Sequence, residues 1–498
     1  MGLASSKLLY RDIFIRAGSD FIVSAFGLVT MPIIAKSLGV VGYGIYRQII
    51  ATCALVMPVL SLRLETASVR YFPAILNNKF ELKRQFVSML VLIWAIMIAF
   101  IGVAVVNKSM LSRLVFGTER YMDLIGLVTI FIFFRVSSEF VKNFYRAINK
   151  TNYASLFDVL RVFLYVSFLF IALCKMKMGM KGLLLSHILV EVVLITATSL
   201  TIFATYLRNI PTCLSYSWLR TYLKYSLPLV AYSVLVWVND AGDRYLITHM
   251  IGLKETGIYS VSYIIAKLPF FLQPAISYVI FPYISQMWFK GETSNIKSFL
   301  QKCQTLFLFQ AIPITLGLTV LSPYLIRVLA GEEFFMDRTL ILLIAIGHIF
   351  LGIYQINGYV IDLSQKTVWF LIVLMVTGGV NIGLNLILIP LFGIKGAALA
   401  TLVAYALQAA ILLFLSPRLV SFRIGFDLSF VLKCTLAAII MAVFVNFLNV
   451  GNLMHIILGV LFGSSTYMLI MLIITNKFHD YDFVRGIKCL LSLVQRNK

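Results

Sequence analysis

Long runs of apolar residues alternate with short polar connections along almost the whole chain. A helix of about twenty apolar residues spans the hydrocarbon core of a bilayer, so each run predicts a transmembrane helix. About fourteen such runs are present, at residues 13–35, 43–64, 86–106, 122–144, 153–174, 183–206, 226–250, 257–283, 298–321, 339–361, 369–389, 396–415, 430–448 and 453–474. The pattern therefore predicts an all-α integral membrane protein.

Composition agrees with this prediction and excludes several classes of protein. Of the 498 residues, 61% are hydrophobic and only 12% are charged, whereas soluble domains carry about 25% charged residues. The net charge of +22 indicates contact with anionic membrane lipids, because no segment is long enough to form a basic, nucleic-acid-binding module. The six cysteines show no CxxC spacing, so we expect neither a metal site nor a disulfide framework, and no cofactor.

The distribution of basic residues predicts the orientation in the membrane. An even number of spans places both termini on one side, and Lys and Arg are about twice as common in the connections on that side. Residues 477–498 form a basic tail there. We therefore expect a multi-pass protein of a bacterial inner membrane with both termini in the cytoplasm.

Two short motifs recur in the two halves of the chain at nearly the same spacing. The run AKSLGVVGYGIY at Ala35 returns as THMIGLKETGIY at Thr248, and MKGLLLS at Met180 returns as IKGAALA at Ile394, at spacings of 213 and 214 residues. Each match joins spans six helices apart, which predicts two parallel six-helix lobes (helices 1–6 and 7–12) with a site at their interface, followed by two extra helices. The predicted divisions are residues 1–210, 211–420, 421–476 and 477–498.

Charged residues inside the spans concentrate in the first predicted lobe. Helix 1 carries Asp12, Arg16, Asp20 and Ser24 at i+4 steps, and helix 4 carries Arg135, Glu139, Lys142 and Arg146. Helices 5 and 6 add Asp158 with Arg161 and His187 with Glu191. Charges at this depth are costly unless they pair or line a polar cavity. Their convergence predicts a water-filled cavity that opens toward the cytoplasm.

In the second predicted lobe, charges are confined to helices 7 and 8. Asp240, Asp243 and Arg244 interrupt an apolar segment, and Asp240 and Arg244 share one helical face. The resulting cavity, polar on one wall and apolar on the other, suits an amphiphilic cargo with an anionic head. Guanidinium groups bind phosphate well because they stay charged and offer a planar fork. We therefore expect head-group contacts from Arg16, Arg135, Arg161, Arg244 and Lys267.

Three further groups of residues receive other interpretations. Carboxylates at this depth can hold a proton or a cation, which makes Asp20, Glu139, Asp158, Glu191 and Asp240 candidates for ion coupling. Pro269 and Pro274 in helix 8 are candidate hinges, although a static kink is the simpler interpretation. Arg47 and Arg63 lie near helix ends, where an arginine side chain commonly extends to the membrane interface.

The motifs SLGVVGYGIY after helix 1, DRY…G…GIY at Asp243 to Tyr259, and IKGAALAT at Ile394 to Thr401 resemble those of bacterial O-antigen flippases. These proteins form the polysaccharide transporter branch of the multidrug, oligosaccharidyl-lipid and polysaccharide (MOP) exporter superfamily. The resemblance implies a carrier that moves undecaprenyl-pyrophosphate-linked oligosaccharide from the cytoplasmic to the periplasmic leaflet by alternating access. It also implies a cationic cavity, a proton or sodium gradient as driving force, and a glycan polymerase with its chain-length machinery as partners.

Other functions stay open at this point. A peptidoglycan-precursor flippase shares the fourteen-helix plan, and a drug or cation exporter of the same superfamily would need a net acidic cavity for its cationic cargo. A membrane glycan polymerase or ligase would need a sizeable extracytoplasmic loop and catalytic groups. No nucleotide-binding glycine loop and no paired catalytic carboxylates in a loop occur in the sequence. We therefore expect a transporter with no catalytic residues.

Overall fold

A computed structural model describes residues 3–208, 210–211, 213–270, 273–335, 337–420, 422–448 and 453–477. Within these ranges the described part excludes the side chains of residues 3–17, 20, 21, 24, 25, 274–279, 282, 453 and 475–477. Throughout the described part the chain is helical and contains no strand. The predicted all-α fold is therefore confirmed.

The chain forms two compact units, Met1–Ser260 and Val261–Lys498. The first unit contains the helices α1 (Leu3–Leu60), α2 (Leu64–Tyr71), α3 (Lys79–Val106), α4 (Lys108–Phe116), α5 (Met122–Ala147), α6 (Thr151–Phe170), α7 (Gly179–Thr205) and α8 (Leu219–Met250), and the first part of α9 (Leu253–Ala266). The second unit contains the helices α10 (Gln273–Phe289), α11 (Thr293–Leu329), α12 (Arg338–Leu363), α13 (Val368–Phe392), α14 (Ile394–Leu419), α15 (Leu428–Phe447) and α16 (Leu453–Lys477). The predicted division of the lobes at residues 210 and 211 stays a prediction.

Eleven helices of the described part are long and apolar enough to cross a bilayer. The three remaining predicted spans are also helical. The predicted helices 1 and 2 are joined into α1, which kinks at Gly39 with φ 67°. The predicted helix 7 is α8, which contains the charged residues near position 240, and the predicted helix 8 is interrupted between α9 and α10. About fourteen crossings therefore remain consistent with the fold.

The repeated glycine motifs meet in the first unit, where α1 crosses α9. A Cβ added to Gly44 would lie 2.0 Å from the carbonyl oxygen of Leu253, and one added to Gly257 would lie 2.3 Å from that of Val40. These two contacts repeat each other at the spacing of 213 residues. Because any side chain would clash with backbone, only glycine lets the two helices approach this closely.

Small residues also allow close helix packing in the second unit. Ala397, Ala400 and Ala404 of α14 are fully buried, on a helix that packs against both α12 and α13. Inside a bilayer, such packing depends on van der Waals contact rather than on exclusion of water. On α15, one face is buried against α11 while Leu432 and Phe444 on another face are exposed.

Two short helices outside the predicted spans shape the first unit. The helix α2 follows a tight break in which Leu62 and Arg63 both have left-handed backbone angles, with φ of 50° and 53°. The helix α4 lies between α3 and α5, and the carbonyl oxygen of its residue Arg113 lies 3.2 Å from Nε2 of His249. The break before α2 bears on the functional site because it places Arg63 at a cavity wall.

Candidate functional site

Helix α5 presents a charged face at the centre of the first unit. Its residues Arg135, Glu139 and Lys142 follow one another at spacings of four and three, which places them on one side of the helix. The neighbouring helices α6 and α7 pack against α5 and present Asp158 and Arg161, and His187 and Glu191, respectively. The side chains of Arg161 and Glu191 are 9% and 2% exposed, so this face is largely shielded from solvent.

Six of these side chains form one ion-pair network, named here the six-charge cluster: Arg135, Glu139, Lys142, Asp158, Arg161 and Glu191. Its contacts are Arg135 to Glu191 at 2.6 Å and to Glu139 at 3.3 Å, Lys142 to Glu139 at 2.7 Å and to Asp158 at 2.9 Å, and Arg161 to Glu139 at 2.6 Å, to Glu191 at 3.2 Å and to Asp158 at 3.6 Å. The hydroxyl of Ser138 donates to the carboxylate of Glu191. Every cation therefore contacts at least two carboxylates.

The six-charge cluster carries no net formal charge, because three cations face three carboxylates. Burial of a charge is unfavourable unless a partner compensates for the lost hydration, and removal of one partner from a buried pair typically costs about 3 to 5 kcal/mol. The six charges consequently stabilise one another, and the loss of any one of them should destabilise the protein.

A cavity of about 320 Å³, the first cavity, opens beside this cluster. All six charged residues line it, together with Val23 of α1 and the aromatic and apolar side chains of α6 and α7. His187 is stacked against Tyr165 at a ring-centroid distance of 4.0 Å and lies 4.7 Å from Phe131. One wall of the cavity is thus charged and another is aromatic, an arrangement that can hold an ionic group and an adjoining ring or chain.

A larger cavity of about 470 Å³, the second cavity, lies further along α5 toward the α5–α6 connection. Ser61, Arg63, Glu65 and Thr66 line it from the break and from α2, and Asn143 and Arg146 line it from α5. Glu139 lines both cavities. The two cavities therefore meet at this carboxylate.

The structure brings together five of the predicted site residues: Arg135, Arg161, Glu139, Asp158 and Glu191. Arg16 and Asp20 lie on α1, but their side chains are outside the described residues. Lys267 belongs to the second unit, where its ammonium group lies 5.9 Å from the ring of Phe270. The substrate-contact and ion-coupling roles of all these residues stay predictions.

Arg244 is placed elsewhere in the first unit, on α8, and is 3% exposed. Its guanidinium donates to the backbone carbonyl of Asp240 at 2.6 Å and lies 3.6 Å from the carboxylate of Asp243. The hydroxyl of Tyr259 donates to the same carboxylate at 2.5 Å. Since Tyr259 belongs to the repeated GIY motif, the repeat motif is linked directly to the buried charges of α8.

The candidate hinge at Pro269 coincides with an interruption of the helix. A 3₁₀ turn over Leu268–Phe270 follows α9, and α10 begins at Gln273. The amide of Gln310 donates to the carbonyl of Pro269 at 3.0 Å, which satisfies an acceptor that the broken helix leaves free. Pro274 lies in the first turn of α10, and its side chain is outside the described part. A hinge function stays a prediction for both prolines.

Three residues that line the cavities or contact the six-charge cluster were absent from the sequence prediction or were interpreted differently. Ser138 follows Arg135 by three positions, a spacing that could have identified it. Arg146 lies on the charged face of the predicted helix 4, which is α5 in the structure, but was not included among the expected head-group contacts. Arg63 lies at a span end, where the sequence favoured contact with the membrane interface.

No group of three His, Cys, Asp or Glu side chains that could hold a metal ion occurs among the residues that the structure describes. Five of the six cysteines fall within this part, and all five are free: Cys53, Cys174, Cys213, Cys303 and Cys434. The chemistry available to the cavities therefore comes from their arginines, carboxylates and aromatic rings.

The fold and the charged cavity define a multi-pass helical membrane protein. The solved structure of the lipid II flippase MurJ in an inward closed conformation matches 96% of this chain and 100% of its own length, with a TM-score of 0.72 at 17% identity. An inward-facing MATE multidrug transporter of the MOP superfamily matches 82% of this chain and 98% of its own, with a TM-score of 0.66 at 12% identity. At these identities the likeness establishes the fold.

The model of the family described as "Polysaccharide biosynthesis protein" matches residues 9–288, and the chain belongs to this family. The "Probable low-salt glycan biosynthesis flippase Agl15" of Haloferax volcanii is 26% identical over 258 residues, 51% of this chain and 54% of the relative. The chain thus spans about half the length of that relative. "Probable flippase AglR" of the same organism is 26% identical over 385 residues, 73% of this chain and 76% of the relative.

These comparisons confirm the sequence prediction at the level of family and fold. The polysaccharide branch of the MOP superfamily was predicted from short motifs, and the family match covers more than half of the chain. The named relatives are described as flippases or transporters, and none of them as a membrane glycan polymerase or ligase.

Proposed function

We propose that this protein is a flippase that moves an undecaprenyl-pyrophosphate-linked oligosaccharide from the cytoplasmic to the periplasmic leaflet by alternating access. The polysaccharide biosynthesis family, the glycan flippases among the relatives and the MOP fold support this proposal. The observation that carries it is the first cavity, in which Arg135 and Arg161 line a polar space among apolar membrane helices.

The arginines are suited to a diphosphate but are occupied by carboxylates. Arg161 contacts all three acids of the six-charge cluster, and Arg135 contacts Glu139 and Glu191. A phosphate oxygen offers the same acceptor geometry as a carboxylate oxygen. The anionic head of the cargo therefore binds by replacing internal carboxylates at the guanidinium groups, so that no buried cation loses its partner during the exchange.

Such an exchange also accounts for coupling to an ion gradient. A carboxylate displaced from its arginine is left as an uncompensated charge at membrane depth, which is unfavourable. A proton or a sodium ion that binds to Glu139, Asp158 or Glu191 compensates for that charge. For the gradient to drive outward transport, the cation enters from the periplasmic side and returns to the cytoplasm after the cargo has left. The predicted ion-coupling residues are then the carboxylates that the cargo displaces.

Because the six-charge cluster is neutral, the net charge of the described cavity wall does not by itself indicate whether the cargo is anionic or cationic. The family and the relatives favour the glycan cargo over a drug or cation exporter. The peptidoglycan-precursor flippase is the main alternative, since its cargo carries the same diphosphate head and the fold matches that of MurJ.

A rescue assay separates the two lipid-linked cargoes. The gene is expressed in one strain that lacks its O-antigen flippase and in another depleted of its peptidoglycan-precursor flippase. We expect surface O-antigen to return in the first strain and growth to fail in the second. Growth rescue without return of O-antigen would support the peptidoglycan precursor instead. Failure in both strains, with protein present in the membrane, would contradict the proposal.

We further propose that the protein lies in the cytoplasmic membrane of a bacterium with both termini in the cytoplasm. The excess of basic residues in the connections on the side of the termini supports this orientation. Reporter fusions at residue 498 and in the α3–α4 connection test it. A cytoplasm-specific reporter should be active at residue 498 and inactive in that connection.

A further inference from the structure

The second cavity differs from the first in that two of its arginines are poorly compensated. Arg146 is exposed, and its guanidinium donates to the amide oxygen of Asn143 at 2.9 Å. Within the described part of the chain, Arg146 has no ion pair with a carboxylate. Arg63 has one ion pair, at 3.4 Å to Glu65. Of the two carboxylates that line the second cavity, Glu139 is bound by the cations of the six-charge cluster, which leaves Glu65 alone in the lining to compensate Arg63 and Arg146.

The backbone break places one of these arginines at the cavity wall. Leu62 and Arg63 are both left-handed, a conformation that costs roughly 1–2 kcal/mol for each non-glycine residue. Such strain tends to cluster at functional sites, where the surrounding structure maintains it. Here the break ends α1 at Leu60 and turns Arg63 toward the cavity that Arg146 lines from α5.

The position of the second cavity on α5 indicates when a ligand would occupy it. Arg146 follows Arg135 by eleven residues, which corresponds to roughly 16 Å along a helix axis. The two backbone positions are thus farther apart than the length of a diphosphate, and each guanidinium is bound within its own cavity, that of Arg135 by Glu139 and Glu191 and that of Arg146 by Asn143. Because Glu139 lines both cavities, a group that leaves the second cavity along α5 reaches the six-charge cluster next.

We propose that the second cavity is a docking site for the diphosphate head of a lipid-anchored cargo, in which Arg63 and Arg146 bind the phosphates before they reach Arg135 and Arg161. This inference rests on the proposed function for the identity of the cargo. Among the residues that the structure describes, Arg146 is bonded to an amide and Arg63 pairs with one carboxylate, so docking displaces at most the pair of Arg63 and Glu65. The cargo is thus bound first where binding requires the least rearrangement.

Binding to the full-length protein in nanodiscs of phosphatidylcholine tests the proposal. The probes are undecaprenyl diphosphate, phosphatidylglycerol and inorganic pyrophosphate. The variants are Arg63→Gln, Arg146→Gln and the double variant, and the control is Arg327→Gln. Arg327 is 61% exposed and pairs with Glu332 in the second unit, so the control loses the same charge at a residue that lines neither cavity.

We expect each single variant to weaken binding of undecaprenyl diphosphate about tenfold, which corresponds to about 1.4 kcal/mol, because each removes one charged hydrogen-bond donor to the phosphates. The double variant should lose about a hundredfold, and the control should change less than twofold. In a flipping assay, KM should rise in the single variants while kcat is retained. The variant Arg161→Gln, in the six-charge cluster, should instead lose kcat.

The three probes distinguish failure of this inference from failure of the proposed function. If the wild-type protein binds undecaprenyl diphosphate and the arginine variants bind it equally well, the docking site is overturned while the proposed function stands. Arginine-dependent binding of pyrophosphate or phosphatidylglycerol, without binding of undecaprenyl diphosphate, would keep a phosphate site but contradict the proposed cargo. Absence of binding by all three probes would overturn the site.

Discussion

The two cavities of the first unit lie along the same helix and differ in how their charges are compensated. In the first cavity, three cations and three carboxylates are bound to one another, and the side chain of Glu191 is only 2% exposed. In the second cavity, Arg146 is exposed and bonded to an amide, and the side chain of Arg63 is 34% exposed. The same types of side chain therefore occur in two electrostatic states about three helical turns apart.

This difference indicates that the two cavities have different roles in transport, which their net charges alone would not reveal. A charge that is already paired contributes little affinity for a new ligand, because the existing partner must first be displaced. A poorly paired arginine near solvent binds an anion readily but confers little control over the later steps of transport. Docking is therefore expected at the second cavity, and coupling to a cation is expected at the first.

The largest expected effect is on transport, in variants of the buried arginines. Arg135→Ala and Arg244→Ala should each abolish cargo translocation while leaving membrane insertion intact, because each removes a cation at membrane depth that we expect to contact the head group. The measurement is flipping of cargo by equal amounts of protein in liposomes. Arg146→Ala is the comparison, and it should retain the maximal rate. Full activity of both buried-arginine variants would remove the basis of the cationic site.

The next effect is on stability and distinguishes the two cavities directly. Glu191→Gln should lower the free energy of unfolding by about 3 to 5 kcal/mol, because the buried Arg161 and the half-buried Arg135 both lose a carboxylate that is itself buried. Glu332→Gln is the control, since Glu332 is 76% exposed and its pair with Arg327 contributes less than about 1 kcal/mol. Denaturant unfolding in detergent provides the measurement. A loss below about 1 kcal/mol for Glu191→Gln, the range of an exposed pair, would mean that the cluster is not tightly coupled.

More of the first cavity than of the second could be predicted from the sequence. Helical spacing alone places Arg135, Glu139 and Lys142 on one face, and the cost of charge in a bilayer implies that such stripes converge. Which cation contacts which acid depends on the tertiary packing of α5, α6 and α7. Sequence spacing therefore predicted a cavity rich in arginine but could not predict that carboxylates would neutralise it.

The second cavity escaped prediction because its key feature is a backbone break without a sequence signal. Left-handed conformations normally occur at glycine or asparagine, whereas Leu62 and Arg63 are neither. From its position at the end of a span, Arg63 was expected to extend to the membrane interface. The fold itself was more predictable: apolar periodicity located the long helices, and the repeated GIY motif identified the pair Gly44 and Gly257 that meets between α1 and α9.

A smaller effect is expected from the dependence of cargo binding at the second cavity on pH. Burial raises the pKa of the Glu65 carboxyl, and Arg63 offsets only part of the rise. As pH falls through this raised pKa, Glu65 becomes neutral, Arg63 loses its partner and the cavity gains positive charge. Binding of undecaprenyl diphosphate should therefore strengthen a few-fold as pH falls. The raised pKa also affects folding. Because the folded state binds this proton more tightly than the unfolded state does, stability decreases as pH rises between the unfolded and folded pKa values of Glu65.

The variant Glu65→Gln tests the source of this pH dependence. It fixes the neutral state of the side chain, so binding should be strong at all pH values in this range and the dependence on pH should disappear. Glu81→Gln is a matched control, because Glu81 pairs with Arg84 on α3, away from both cavities. A pH dependence that persists in Glu65→Gln would assign the titration to a group other than Glu65.

The smallest expected effect concerns the strained break that turns Arg63 toward the second cavity. In an ordinary helix, glycine is less stable than alanine by roughly 0.5 to 1 kcal/mol. At Leu62, where φ is 50°, the order should reverse, because glycine adopts the left-handed region without cost and alanine does not. Leu62→Gly should therefore be more stable than Leu62→Ala by about 0.5 to 1 kcal/mol in denaturant unfolding. Both variants remove the same apolar side chain beyond Cβ, so their difference isolates the backbone. If alanine proved more stable, the break would not be left-handed, and the contrast between the two cavities would lose the feature that places Arg63 at the wall.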